Sequence, residues 1–274
     1  MLRLFPCLAL SLWLALPAAR SLAQESKISQ ADAWIGFEQQ RDKKTARAER
    51  VFFPLSLALT GALLGGAAAA PGVPTAARIG LGTSAGLAVA SMLPTMLAPS
   101  RDGRLSWFAA ANAVTSLGLG ASIVALDLAE RHDAHNPSHG GGRWAGAAIG
   151  MQALLLFVPI ALMKGFPDDS EYEAYWKLSP EARPEAAARL LRRIDEFEEI
   201  TTALTLMSTI AASTVLAVGS MRVDDHSERV SLGALSAGFL GTSLLFAVPR
   251  LFAGSRVDHY AVGGAPKRLG FNLW

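Results

Sequence analysis

Cysteine is nearly missing: the one thiol among 274 residues is Cys7, inside an N-terminal apolar run. A chain cut after that run would carry none. Disulfides, thiolate metal sites and cysteine nucleophiles are then excluded together. Charge is scarce too. Asp, Glu, Lys and Arg make up 18% of the residues, where soluble domains carry about a quarter. The net charge of +2 offers no basic field for nucleic acid. No HExxH, Walker or dinucleotide-binding motif occurs.

What is abundant is apolar sequence, and it comes in blocks. The first block belongs to the N-terminus, "MLRLFPCLALSLWLALPAARSLAQESK". Arg3 leads into an apolar core, and the small residues Ser21 and Ala23 follow. That layout predicts a secretory signal peptide, residues 1–23, cut before Gln24. An uncleaved anchor, which Arg20 after the core would suit, is the alternative.

Six further apolar segments follow: Val51–Ala70, Ile79–Ala98, Leu105–Ala129, Trp144–Met163, Thr201–Met221 and Val230–Ala253. Each has the length a helix needs to cross a bilayer core of about 30 Å. Barrel strands would be shorter and would alternate, and "LSLALTGALLGGAAAA" does neither.

The polar segments between them have helical patterns. In 24–50, Ile28, Ala31 and Ile35 share one face, with Trp34 and Phe37 beside it. In the connector 164–200, Asp169 or Ser170 is expected to cap a short helix carrying Tyr172, Tyr175 and Trp176. Ser179 before Pro180 is a second helix start. Beyond it Leu190, Leu191, Ile194, Phe197 and Ile200 form one apolar stripe, expected to pack on the protein itself, with the membrane interface or a partner as alternatives.

One stretch is written nearly twice. "RIGLGTSAG" begins at Arg78 and "RVSLGALSAG" at Arg229, and "LPTMLAPSRDG" is answered by "VPRLFAGSRVD". A polar helix and a span precede each copy. The pattern predicts a duplicated unit of amphipathic helix plus membrane hairpin, in parallel orientation. Small residues at helical spacing should hold the spans together. These are Gly61 and Gly65, Gly82 and Gly86, Gly146 and Gly150, and Gly233, Ala237 and Gly241. Pro54, Pro94, Pro159 and Pro249 lie in or near spans as kink candidates.

Two orientation rules disagree. Segments sharing a side with 24–50 hold eighteen Lys and Arg, counting Arg250 near the end of the last span, and the other side holds five: Arg78, Arg131, Arg143, Arg222 and Arg229. The basic side should face the cytoplasm, yet a cleaved leader puts it in the periplasm. The leader reading is kept, with inner and outer membrane both open.

Candidate chemistry is thin. His132, His135 and His139, with Asp224, Asp225 and His226 on the same side, could attract a divalent metal. Asn136-Pro137 and a glycine triplet break the helix that would align them, so a solvated loop is expected. Asp127 is the lone acid inside an apolar segment and is expected to reach water. Asn112 and Gln152 lie deeper and should hydrogen-bond between helices. No catalytic, cofactor-binding or metal residue is assigned.

The sequence therefore predicts an all-α membrane protein of the bacterial cell envelope. Its segments are a signal peptide at 1–23, a polar helical stretch at 24–50, four spans in 51–163, a connector at 164–200, two spans in 201–253 and a tail at 254–274. The expected role is structural or accessory and not enzymatic, with no cofactor. The lipid bilayer and a membrane-protein partner or second copy are its companions, docked through the amphipathic segments. A small transporter or channel subunit built on the repeat is the rival reading.

Overall fold

The structure, a computed structural model, describes the backbone of residues 5–71, 73, 75–130, 140–251, 255–264 and 266, and their side chains from Gln24 on except at 76, 130, 242, 243 and 245–251. All elements among these residues are helical. They are α1 (Phe5–Ala69), α2 (Thr75–Ala90), α3 (Met92–Leu97), α4 (Arg101–Glu130), α5 (Gly141–Gln152), α6 (Val158–Leu162), α7 (Asp169–Lys177), α8 (Arg183–Arg222), α9 (His226–Leu251) and α10 (Arg256–Ala261). A π-helical turn, Ala153–Phe157, joins α5 to α6, and a 3₁₀ turn, Pro180–Ala182, precedes α8.

Five helices or helix pairs are long and apolar enough to cross a membrane: Gln24–Ala69, Ala77–Leu97, Arg101–Ala129, Gly141–Leu162 and Pro180–Arg222. The sixth expected span falls on α9, part of which lies outside the described side chains. Ser21 and Ala23, which carry the leader expectation, also lie outside them.

The described residues divide into two compact units. Residues 5–43, 167–195, 255–264 and 266 belong to one, and those within 44–166 and 196–251 to the other.

The second unit holds the spans. Helix α1 enters it as the polar pattern gives way to the exposed apolar row Val51, Leu55, Leu59 and Leu63, 54–75% exposed. Gly61 lets α2 come close, since a Cβ there would lie 2.7 Å from Val89 Cγ2 and 3.1 Å from the Ala85 carbonyl. Between α4 and α5 the approach is tighter. A Cβ on Gly120 would lie 2.6 Å from the Gly146 carbonyl, and one on Gly146 2.5 Å from that of Gly120. Apolar burial gives no drive for helix pairing in lipid, so backbone contact of this kind supplies the dispersion energy.

The expected contacts at Gly82, Gly86 and Gly233 are not made. A Cβ on any of these, or on Gly238 or Gly241, would meet nothing within 4 Å, and Ala237 is exposed. Packing instead uses the serine beside them. Ser84 lies against Gly118 of α4. Ser236 donates to the Ser213 carbonyl at 2.9 Å, and Ser213 to that of Ser236 at 3.0 Å, which clasps α9 to α8. Small-residue spacing defines a stripe but not what faces it.

Two prolines act as expected of kink candidates. Pro159 has no N–H, and the chain around it opens into the π turn, where the Val158 N–H donates to the Ala153 carbonyl. Pro94 stands where α2 breaks into α3, and the Ser91 and Thr95 hydroxyls donate to the Leu87 and Ser91 carbonyls at 2.7 Å each.

Candidate functional site

The first unit, a helical cap, buries Glu38, Asp42 and Arg256, and the second buries Glu49, Arg104 and Asp127. The floor of the cap is apolar: Ala31, Trp34 and Ile35 of α1 pack with Tyr172 and Tyr175 of α7 and with Ala186, Ala187 and Leu191 of α8. The faces expected of 24–50 and of the connector are thus spent on each other. Leu191 and Ile194 are fully buried, whereas Ile200, in the other unit, is 48% exposed.

One turn further along, each stripe carries an acid. Glu38 follows Ala31, Trp34 and Ile35 at helical spacing, and Asp195 follows Leu191. Arg256 of α10 reaches both. Its Nε donates to Glu38 Oε1 at 3.1 Å and its Nη1 to Asp195 Oδ1 at 2.7 Å. Arg41 Nη2 lies 2.7 Å from Glu38 Oε2. Arg256 is 1% exposed and Glu38 0%.

Two tyrosines extend the network. Tyr172 donates to Asp42 at 2.5 Å, and Tyr175 donates to Asp32 at 2.8 Å. Arg183 Nη1 holds the other Asp32 oxygen at 3.0 Å. Burial and the neighbouring carboxylates, Asp42 for Tyr172 and Asp32 for Tyr175, push both hydroxyls above their usual range. They remain proton donors.

The ends of the cap helices are pinned as well. Asp168, one residue before the expected caps, starts α7 with a capping box: its side chain accepts the Glu171 N–H at 2.9 Å while Glu171 accepts the Asp168 N–H at 3.0 Å. Arg193 of α8 holds Glu171 with two bonds of 2.7 and 2.6 Å. The Trp34 indole donates to the Gly264 carbonyl at 2.8 Å, and Tyr260 to that of Pro184 at 3.1 Å. Ser179 makes no side-chain cap, and α8 begins at Arg183 after the 3₁₀ turn.

A second polar cluster lies in the membrane unit. Arg101 donates to Glu49 Oε1 at 2.9 Å, with its guanidinium 3.6 Å from the Phe166 ring centre. Asp102 accepts the N–H groups of Gly165 and Phe166 at 3.2 and 3.1 Å. Phe197 fills the space a side chain at 165 would need.

The sequence candidates are scattered over this frame. Asp127 is 3% exposed and does not reach water; a Cβ on Gly142 would lie 3.0 Å from its own Cβ, which places it against the start of α5. The first turn of α5 also receives Glu228, which accepts the Gly141 N–H at 2.8 Å. Asn112 donates along its own helix, to Phe108 at 2.8 Å, and not to a neighbour. Gln152 ends α5 part-buried. Asp225 caps α9 by accepting the Glu228 N–H at 2.8 Å. His132, His135 and His139 lie outside the described residues, among which no three His, Cys, Asp or Glu converge.

Gly82-Thr83-Ser84-Ala85-Gly86 also spells GxSxG, which a reading by composition passes over. A nucleophile elbow needs a strand-to-helix turn that exposes the serine. Here Ser84 sits inside α2, 1% exposed.

Sequence reasoning missed Glu38, Asp195 and Arg256. A signal existed: each acid interrupts an apolar stripe, and Arg256 belongs to the Ser-Arg pair that recurs in "LPTMLAPSRDG" and "VPRLFAGSRVD".

The described chain is thus an all-helical protein with five helices able to cross a membrane and a folded polar cap. No family model, curated protein or solved structure matches it.

Proposed function

We propose that the protein is a structural or accessory subunit of the bacterial cell envelope, with six spans and a cap that docks a membrane-protein partner. One observation carries this reading. The buried charged groups Glu38, Arg256 and Asp42, with the half-buried Asp195, are held by side chains of the same cap, at 2.5–3.1 Å. Such a network fixes geometry more than it stabilises. It makes a rigid platform whose apolar faces are consumed, so the outer charges are left for a partner. In this reading the protein catalyses no reaction. Its leader, residues 1–23, is removed, and the mature N-terminus and cap face the periplasm.

The duplicated unit belongs to the same proposal, and the ends of the two copies support it. Ser100 accepts the Gly103 N–H and Ser255 the Asp258 N–H, both at 3.0 Å. The arginine after each serine then returns to an acid on the helix that leads into its own copy's first span. Arg101 takes Glu49 on α1, and Arg256 takes Asp195 on α8 as well as Glu38 on α1. The echo in the sequence is matched by the same local construction.

Extraction from native membranes in mild detergent tests the function. A protein recovered at fixed stoichiometry with the wild type, and lost with Arg256→Ala at equal expression, is the expected result. Solute flux through liposomes containing the purified protein alone would overturn it in favour of a transporter.

A further inference from the structure

The last turns of α1 before its apolar row carry charge of one sign on their outer surface. Lys44, Arg47 and Arg50 are exposed. The acid in the same turns, Glu49, is turned inward, 5% exposed, on Arg101. Successive residues on a helix advance by 100°, so Lys44 and Arg47 share a face with Val51, Leu55 and Leu59. Those three side chains are 54–68% exposed and apolar. A single helix face therefore reads basic and then apolar, with no gap. Where α1 crosses a bilayer, the apolar part meets acyl chains. The basic part then stands at the depth of the headgroups, which long cationic side chains can reach along their own stems.

We infer that Lys44, Arg47 and Arg50 bind the phosphate-bearing headgroups of anionic phospholipids, with the acyl chains lying along Val51, Leu55 and Leu59. Basic residues just outside a span each add roughly fivefold to binding at an anionic surface. On α8 the turn before the apolar segment carries the exposed acids Glu196 and Glu199 instead.

The test uses the full-length protein in nanodiscs of equal parts phosphatidylcholine and phosphatidylglycerol. Bound lipid is counted by native mass spectrometry after release. The wild type should retain phosphatidylglycerol preferentially. Lys44→Gln/Arg47→Gln/Arg50→Gln should lose at least tenfold of that preference, and Glu196→Gln/Glu199→Gln should keep it. Unaltered thermal unfolding in phosphatidylcholine alone would show that the triple variant is folded. If it is not, the single variants, each expected to lose about fivefold, take its place. Equal retention of the two lipids by the wild type, or a preference undiminished in the variants, would overturn the inference. So would loss of an acidic protein, and not of lipid, on neutralising these residues.

Discussion

Arg256 and Glu38, separated by 218 positions in the chain, meet at 3.1 Å with side chains 1% and 0% exposed. The contact joins the last described helix to the first, and Asp195 of α8 shares the same guanidinium.

Removing Arg256 would leave the buried Glu38 with Arg41 alone and the half-buried Asp195 without its arginine. The loss should fall below the roughly 3–5 kcal/mol that breaking an isolated buried pair costs. Arg256→Ala should therefore raise hydrogen exchange throughout 31–42 and 186–195 while α4 and α5 stay protected. Arg256→Lys, which keeps the charge but not the two-pronged geometry, should do so less.

The contact between α4 and α5 should be the least tolerant of bulk. Gly120→Leu and Gly146→Leu each drive a side chain into a facing carbonyl, and overpacking costs about 1–3 kcal/mol. Their thermal unfolding in detergent should fall by several degrees. Gly82→Leu and Gly233→Leu, which meet open space, should unfold close to wild type.

How far the sequence is legible follows from such pairs. Gly61 and Gly146 make the close approaches their spacing predicts, and Gly82 with the same spacing makes none. Periodicity reports which residues share a stripe. Which stripe meets a neighbour depends on tertiary partners in other helices, as Gly61 with Val89 and Gly120 with Gly146 show. The cap shows both sides of this. Its apolar floor, Ala31 with Trp34 and Leu191, was readable from helical spacing. The buried ions above it were not, since an acid in an amphipathic helix usually marks the wet face. Only the arginine that Arg256 places between Glu38 and Asp195 reverses that meaning. Asp127 deceived the reading in the same way: a position at the end of a span suggested water, and the start of α5 covers it.

Ser213 and Ser236 exchange hydroxyl-to-carbonyl bonds, and their hydroxyls lie 2.8 Å apart. A double-mutant cycle with Ser213→Ala and Ser236→Ala should give a coupling of about 0.6 kcal/mol, the average for polar contacts between membrane helices. Additive single effects would show that the clasp is packing alone.

The start of α7 should loosen in acid. The Ser170 hydroxyl and Glu171 N–H hold the Asp168 carboxyl below its usual 3.8, and Arg193 chiefly holds Glu171 below 4.5. Groups whose folded pKa is lowered stabilise above the unfolded value and lose that contribution as pH falls through the folded one. Exchange at the Glu171 and Tyr172 amides, measured at fixed temperature and corrected for intrinsic rate, should rise from about pH 4 downward. Asp168→Asn should flatten that dependence.

The proposed six-span topology puts 24–43, 167–195 and 255–264 on one side of the membrane and the turn between α8 and α9 on the other. Single cysteines at Lys27, Glu173, Asp258 and Ser227, in a Cys7→Ser background, allow a direct measurement with an impermeant maleimide on sealed vesicles of known orientation. Lys27, Glu173 and Asp258, all exposed and all in the cap, should label together from one side, and Ser227, exposed at the start of α9, only from the other. Labelling of Ser227 from the same side as the cap positions, or a split among those three, would contradict the architecture.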